Sequence, residues 1–229
     1  SLALALVSIY LLRFKIKITE SPRRVILLGV ILLGTMLLVQ GSMQMGLAFT
    51  ETIGNVQARS YFHAIPFATG AMLAAILLDF EIAIVVTALT AFLSGLVLPQ
   101  AFSFSLITLI GGLVTSFRIR SYRRRSSILL TALLVGLANA TIIVALHMIE
   151  GQLFSSEGWF TVIMGLVGGL LTGIVVSAVL PILESLFKIA SDIKLLELSD
   201  LNHPLMRQLV MNSPGTYHHS VVVSNLSEE

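Results

Sequence analysis

The stretch Ala64–Leu98, AIPFATGAMLAAILLDFEIAIVVTALTAFLSGLVL, decides the fold, because its only charges are Asp79 and Glu81, near its middle. A helix rises about 1.5 Å per residue and a hydrocarbon core is about 30 Å thick, so this run is too long for one crossing and suits two. Helices are expected over 64–78 and 81–98, joined by a tight turn at Asp79-Phe80-Glu81. Asp79 precedes the second helix and Glu81 falls in its first turn, where capping and the helix dipole favour acids. Both are thereby explained without an ion pathway.

Outward from this pair the chain keeps the same character. Of its 229 residues 56% are hydrophobic and 11% charged, and the mean hydropathy is +0.95. Soluble domains carry roughly a quarter charged residues, so the composition is that of a membrane protein. Further spans are expected at 25–40, 101–117, 127–149 and 159–180, with Trp159 at an interfacial position. Residues 1–12 are apolar but short, with Arg13, Lys15 and Lys17 after the run rather than before it. That order does not suit a secretory signal, and a truncated span is expected there, continuing upstream. With the 64–98 helix pair counted as one unit, six membrane units result, the first truncated, making residues 1–180 an all-α polytopic helical bundle. Gly41–Phe62, with Gln44, Glu51, Asn55, Gln57 and Arg59, is expected to be a loop with some interfacial helix.

The basic residues orient the bundle. Five Lys and Arg fall in 13–24 and five in 118–126, against Arg59 alone in the alternate connections. Ten against one places the basic loops and the C-terminal tail in the cytoplasm, and Ser1 outside. A formal net charge of +2 gives no reason to expect a nucleic-acid partner, and the lack of cysteine excludes disulfides and thiolate-held metals from this chain. No Ser-His-Asp set, Walker loop, HExxH or dinucleotide fingerprint occurs in the spans.

Small and polar residues inside the spans have packing explanations. Gly165, Gly169 and Gly173 recur every fourth residue and line one helix face, which allows close backbone approach; Gly70 with Ala74 and Gly136 with Ala140 repeat the pattern. Asn139, in mid-span, is expected to hydrogen-bond between helices. His147 lies near the outer end of its span, where water can reach it.

Past Pro181, Ile182, Leu186, Ile189, Ile193 and Leu196 form an amphipathic stripe. A connecting helix over 181–200 is expected, passing motion or dimer contacts onward or simply docking on a neighbour. After a turn at Leu201-Asn202-His203-Pro204, a short helix runs to Met211, Ser213-Pro214-Gly215 stops it, and Thr216 is placed to cap the next. There His219 shares a face with Val222, Val223 and Leu226 and should point toward a domain core, with His218 about 100° away. A core histidine and a metal ligand both fit that pattern.

The run PGTYHHSVVVSNLSEE, with LSDLNHPLMRQLVMNS before it, resembles the opening of the HD hydrolase domain in the seven-helix-receptor plus HD family, the membrane-bound cyclic-di-AMP phosphodiesterases of bacteria. The membrane part is similar in layout to the later portion of that plan. The resemblance implies that 201–229 opens a cytoplasmic α-helical HD domain, with His219 as the first ligand of a two-metal centre and His218 as its neighbour. It further implies two divalent ions, manganese or iron, and metal-assisted hydrolysis of cyclic-di-AMP at the bacterial inner membrane. The other ligands would lie downstream of Glu229, so this piece would be inactive alone. A homodimer is left open, and nothing here identifies an external signal. The rival reading is a non-enzymatic transporter or receptor module with a soluble helical tail.

Overall fold

The structure, a computed structural model, describes residues 22–53, 58–119, 126–151, 155–189 and 204–228. The chain forms two compact units, Ser1–Ile189 and Ala190–Glu229. Among the described residues all regular structure is helical: in the first unit α1 (Pro22–Ile53), α2 (Ala58–Phe62), α3 (Thr69–Leu77), α4 (Phe80–Val97), α5 (Ala101–Ile119), α6 (Ser126–Ile149) and α7 (Ser156–Phe187). The second unit holds α8 (Pro204–Asn212) and α9 (Pro214–Glu228). The expected span at 1–12, the basic segment 120–125 and most of the connecting stripe, 190–200, lie outside the described residues.

Five helices, α1 and α4 to α7, are long and apolar enough to cross a membrane. Their buried positions form a shared core around Phe104, Ile107, Ile143 and Val39. Leu33, Leu37, Leu96 and Phe102 instead point outward, as a lipid-facing surface requires. Buried hydroxyls mostly turn back on their own helices: Thr87, Thr108, Thr115 and Thr172 each donate to the carbonyl four residues earlier, which satisfies those donors inside the core, whereas Ser94 and Thr131 have no partner among the described residues.

Several boundaries differ from those expected. The span at 25–40 is the middle of a 32-residue helix, and the polar stretch read as a loop continues it to Ile53. Gly41 does not stop it, since one glycine costs a helix only about 1 kcal/mol. The first member of the 64–98 pair shrinks to the nine residues of α3. Pro66 is the reason: it has no N–H to donate and disfavours helix in the residue before it. The segment ahead of α3 is instead held by local bonds, Ile65 N to Phe62 O at 3.2 Å and Thr69 Oγ1 to Pro66 O at 2.8 Å. At the other end, Pro181 lies within α7, which runs on to Phe187 and stops where Lys188 takes a left-handed φ of 53°. A proline inside a membrane helix is tolerated where neighbouring groups satisfy the freed carbonyl.

Asp79 does occupy the cap position of α4, but its side chain makes no capping hydrogen bond. Its carboxylate lies 3.9 Å from Arg24 Nη1 instead, which places the α3–α4 turn at the same end of the bundle as the start of α1. In the tail, α9 begins at Pro214, so Thr216 lies within its first turn instead of capping it. Proline suits a first helical position because the N–H it lacks would have no helical partner.

Candidate functional site

The tail histidines come first. On α9, the His218 ring meets Tyr217 edge-on at 5.9 Å. Both His218 and His219 are exposed, as are Val222, Val223 and Leu226, so the apolar face predicted to turn His219 inward is not covered by any described residue. Adjacent helical residues diverge by about 100°, so the two imidazoles do not converge on one point. Among the described residues no group of three or more His, Asp or Glu side chains could hold a metal ion. Imidazole is a suitable donor for manganese or iron, but α9 offers such an ion a single ligand and not a centre.

Within the bundle, α6 and α7 meet along small residues. A side chain on Gly169 would collide with the backbone of Gly136, and one on Gly136 would stand 2.9 Å from the Leu166 carbonyl oxygen. Gly165 faces Ile143, and Gly173 faces Ala132. Gly168, on another side of α7, would bring a Cβ within 2.6 Å of the His63 carbonyl oxygen, so its lack of a side chain admits the turn before α3. Asn139 is buried, but its Oδ1 has no hydrogen-bond partner among the described residues. The interhelical bond expected of that oxygen is not made, because the position facing it on α5 is Gly111, which has no side-chain donor.

At the end of the bundle remote from Arg24 and Asp79, a cavity of about 660 Å³ opens. The residues reach it from four places. The α2 segment supplies Arg59, Ser60 and His63; the α4–α5 turn supplies Gln100, with Ser103 following on α5. The last turn of α6 supplies His147, with Glu150 just beyond, and the start of α7 supplies Glu157 and Thr161. Aromatic contacts fix the α2 segment: Tyr61 packs against Phe49 and Phe160, with ring centres 6.0 and 5.4 Å apart, and Phe104 lies 4.8 Å from the His63 ring.

A polar network ties these elements together. Ser60 Oγ donates to Glu157 Oε1 at 3.2 Å, and the Thr161 hydroxyl lies 3.1 Å from Ser60 Oγ and 2.8 Å from the Glu157 carbonyl. His63 Nδ1 is 3.0 Å from the Arg59 carbonyl oxygen, to which it donates in the corresponding tautomer. His63 lies in the turn outside the five long helices, and burial lowers its pKa to about 4, with nearby His147 adding to the effect against the hydrogen bond to Arg59. His147 Nδ1 is shielded from solvent and has no hydrogen-bond partner among the described residues. Gln100 holds a left-handed φ of 61°, uncommon outside glycine, in the turn at the cavity wall. In the sequence Arg59, His147 and Glu150 stand out only singly, since more than ninety positions separate the first from the last.

Comparison with known proteins adds what geometry alone does not. Residues 1–191 match a family model described as "7TM receptor with intracellular HD hydrolase". The chain is 34% identical over 173 residues to the cyclic-di-AMP phosphodiesterase PgpH of Bacillus subtilis, covering 72% of this chain and 24% of that protein. It is also 34% identical over 125 residues to the protein of the same name from Listeria monocytogenes, covering 54% of this chain and 17% of that one. The chain thus spans a quarter or less of the length of these relatives. No solved structure matches it. A match over the whole membrane bundle establishes that this chain belongs to the family of 7TM receptors with an intracellular HD hydrolase.

Proposed function

We propose that this chain is the transmembrane module of a metal-dependent cyclic-di-AMP phosphodiesterase, anchoring and regulating an HD hydrolase in the full-length protein. The observation that carries the reading is the family match over residues 1–191, joined to relatives whose own name is cyclic-di-AMP phosphodiesterase. The charge asymmetry supports an orientation with the Arg24 and Arg118 end in the cytoplasm of a bacterial inner membrane. On this reading His219 gives the hydrolase its first metal ligand, to one of two manganese or iron ions, and His218 stays outside the coordination sphere. The uncovered face of Val222, Val223 and Leu226 on α9 supports it too, because that face would then pack into the rest of the hydrolase domain.

The test is hydrolysis of cyclic-di-AMP by the full-length protein, with bound metal measured alongside. His219→Ala should lower turnover by more than about 100-fold and reduce bound metal, since even outer-shell partners of a metal ligand are worth 10- to 100-fold. His218→Ala should keep most of both. Unchanged turnover in His219→Ala would remove the ligand assignment, and a wild-type protein inert toward cyclic-di-AMP would remove the reading itself.

A further inference from the structure

The cavity at the end of the bundle remote from Arg24 is not explained by anchoring a hydrolase. A bundle that only anchors needs its inter-helix space filled, yet here about 660 Å³ lies open, within the range of small-molecule sites. Its charged groups are not spent on one another: among the described residues no ion pair joins Arg59 to Glu150 or to Glu157. One cation and two anions therefore face the cavity at separate points. The start of α7, capped by Ser155 accepting from Gly158 N at 2.9 Å, brings the positive end of a helix dipole, whereas the last turn of α6 brings a negative one. His147 also lines this space, with its Nδ1 shielded from solvent and without a partner among the described residues.

Three classes of ligand can be weighed against this arrangement. A bare divalent cation lacks a ligand set, since no three His, Asp or Glu groups among the described residues converge. A simple anion would face two carboxylates, and a simple cation would leave Arg59 opposing it. A molecule with an ammonium at one point and a carboxylate at another matches both signs. We propose that this cavity binds a small zwitterion of the amino-acid or short-peptide class, its carboxylate on Arg59 and its ammonium between Glu150 and Glu157. Ser60 and Thr161 hold Glu157 in place, and the network between α2 and α7 couples occupancy to the relative position of those helices. This binding does not depend on the hydrolase reading.

The test uses the full-length protein in lipid nanodiscs and measures binding of L-alanine oligomers of one to four residues by calorimetry. Each is compared with its N-acetylated form and its C-terminal amide. Saturable binding at one or more lengths is expected, weakened at least 10-fold by blocking either end. Arg59→Gln should abolish the preference for the free acid over the amide while leaving the preference for the free amine. Glu150→Gln combined with Glu157→Gln should do the reverse. These substitutions keep polar groups of similar size, and an unshifted thermal midpoint with each shows that the bundle is intact. No saturable binding at any length overturns the proposal. So does binding indifferent to blocking at one end, which would mark a plain cation or anion site, and so does a variant that keeps the discrimination its missing charge should confer.

Discussion

The helices α6 and α7 meet in two contrasting ways. Around Gly136 and Gly169 their backbones touch and nothing else fits between them, whereas about 16 Å further along, at His147, Glu150 and Glu157, they border an open polar cavity. In lipid there is no hydrophobic drive to bring apolar helices together, so close van der Waals contact must do the holding. The difference teaches that the sealed stretch is what makes the open one usable. With the backbones in contact at the glycines, the end of α6 next to Glu150 and the start of α7 with Glu157 are brought to the same cavity.

The sharpest way to break this contrast is to put a side chain into the sealed stretch. Gly169→Leu has only the Gly136 and Ala132 backbones to occupy, and backbone cannot give way as a flexible side chain can. A loss of at least about 3 kcal/mol is expected, at the upper end of overpacking costs. It is to be read as a fall in thermal midpoint in detergent. Gly34→Leu is the control, because nothing lies within 4 Å of a Cβ built there. If both variants melt with the wild type, the glycine contact is not what holds α6 to α7.

A smaller effect probes the cavity end. His63 has a pKa of about 4 in the folded bundle, against an ordinary 6.5, so the unfolded chain takes up a proton at higher pH than the folded one. Its contribution to stability is therefore whole above about pH 6.5 and is lost as pH falls toward 4. The shift corresponds to something on the order of 3 kcal/mol when complete, and to less at any pH where the bundle can still be measured. Comparing midpoints at pH 7 and pH 5, the wild type should fall further than His63→Gln. An equal fall in the two would show that His63 is not the group being protonated.

How much of this was legible in the sequence divides along the same line. The helical bundle was readable because apolar runs such as Ala64–Leu98 are long against the bilayer, and the glycines of α7 were visible because a spacing of four is local. Helix ends were less readable. Gly41 looked like a break and is not one, since its cost is small beside the hydrogen bonds a helix keeps in lipid. Apolar composition masks the effect of Pro66, while the composition changes at Pro181 although α7 passes through it. The cavity could not be read at all: Ser60, Gln100, His147 and Thr161 are brought together only by helix pairing, and no local spacing records that. For α9 the expected inward face of His219 rests on partners that the described residues do not include.

The smallest effect belongs to the position between the two regimes. Asn139 lies one turn beyond Gly136 on the way to the cavity, and its Oδ1 is buried without a partner. A buried polar atom left unbonded costs about 1–3 kcal/mol, and leucine keeps the same branched skeleton without the oxygen. Gly111, which faces this oxygen, has no side chain to crowd the new methyls, but leucine is bulkier than asparagine and its fit among the close-packed helices offsets part of the gain. Asn139→Leu should therefore raise stability by about 1 kcal/mol and leave peptide binding unchanged, because this position does not line the cavity. A gain in stability with binding intact would place the limit of the sealed stretch past Asn139. A loss of stability would mean that the amide has a partner in the membrane, and that the polar end of the bundle begins a full turn closer to the glycines.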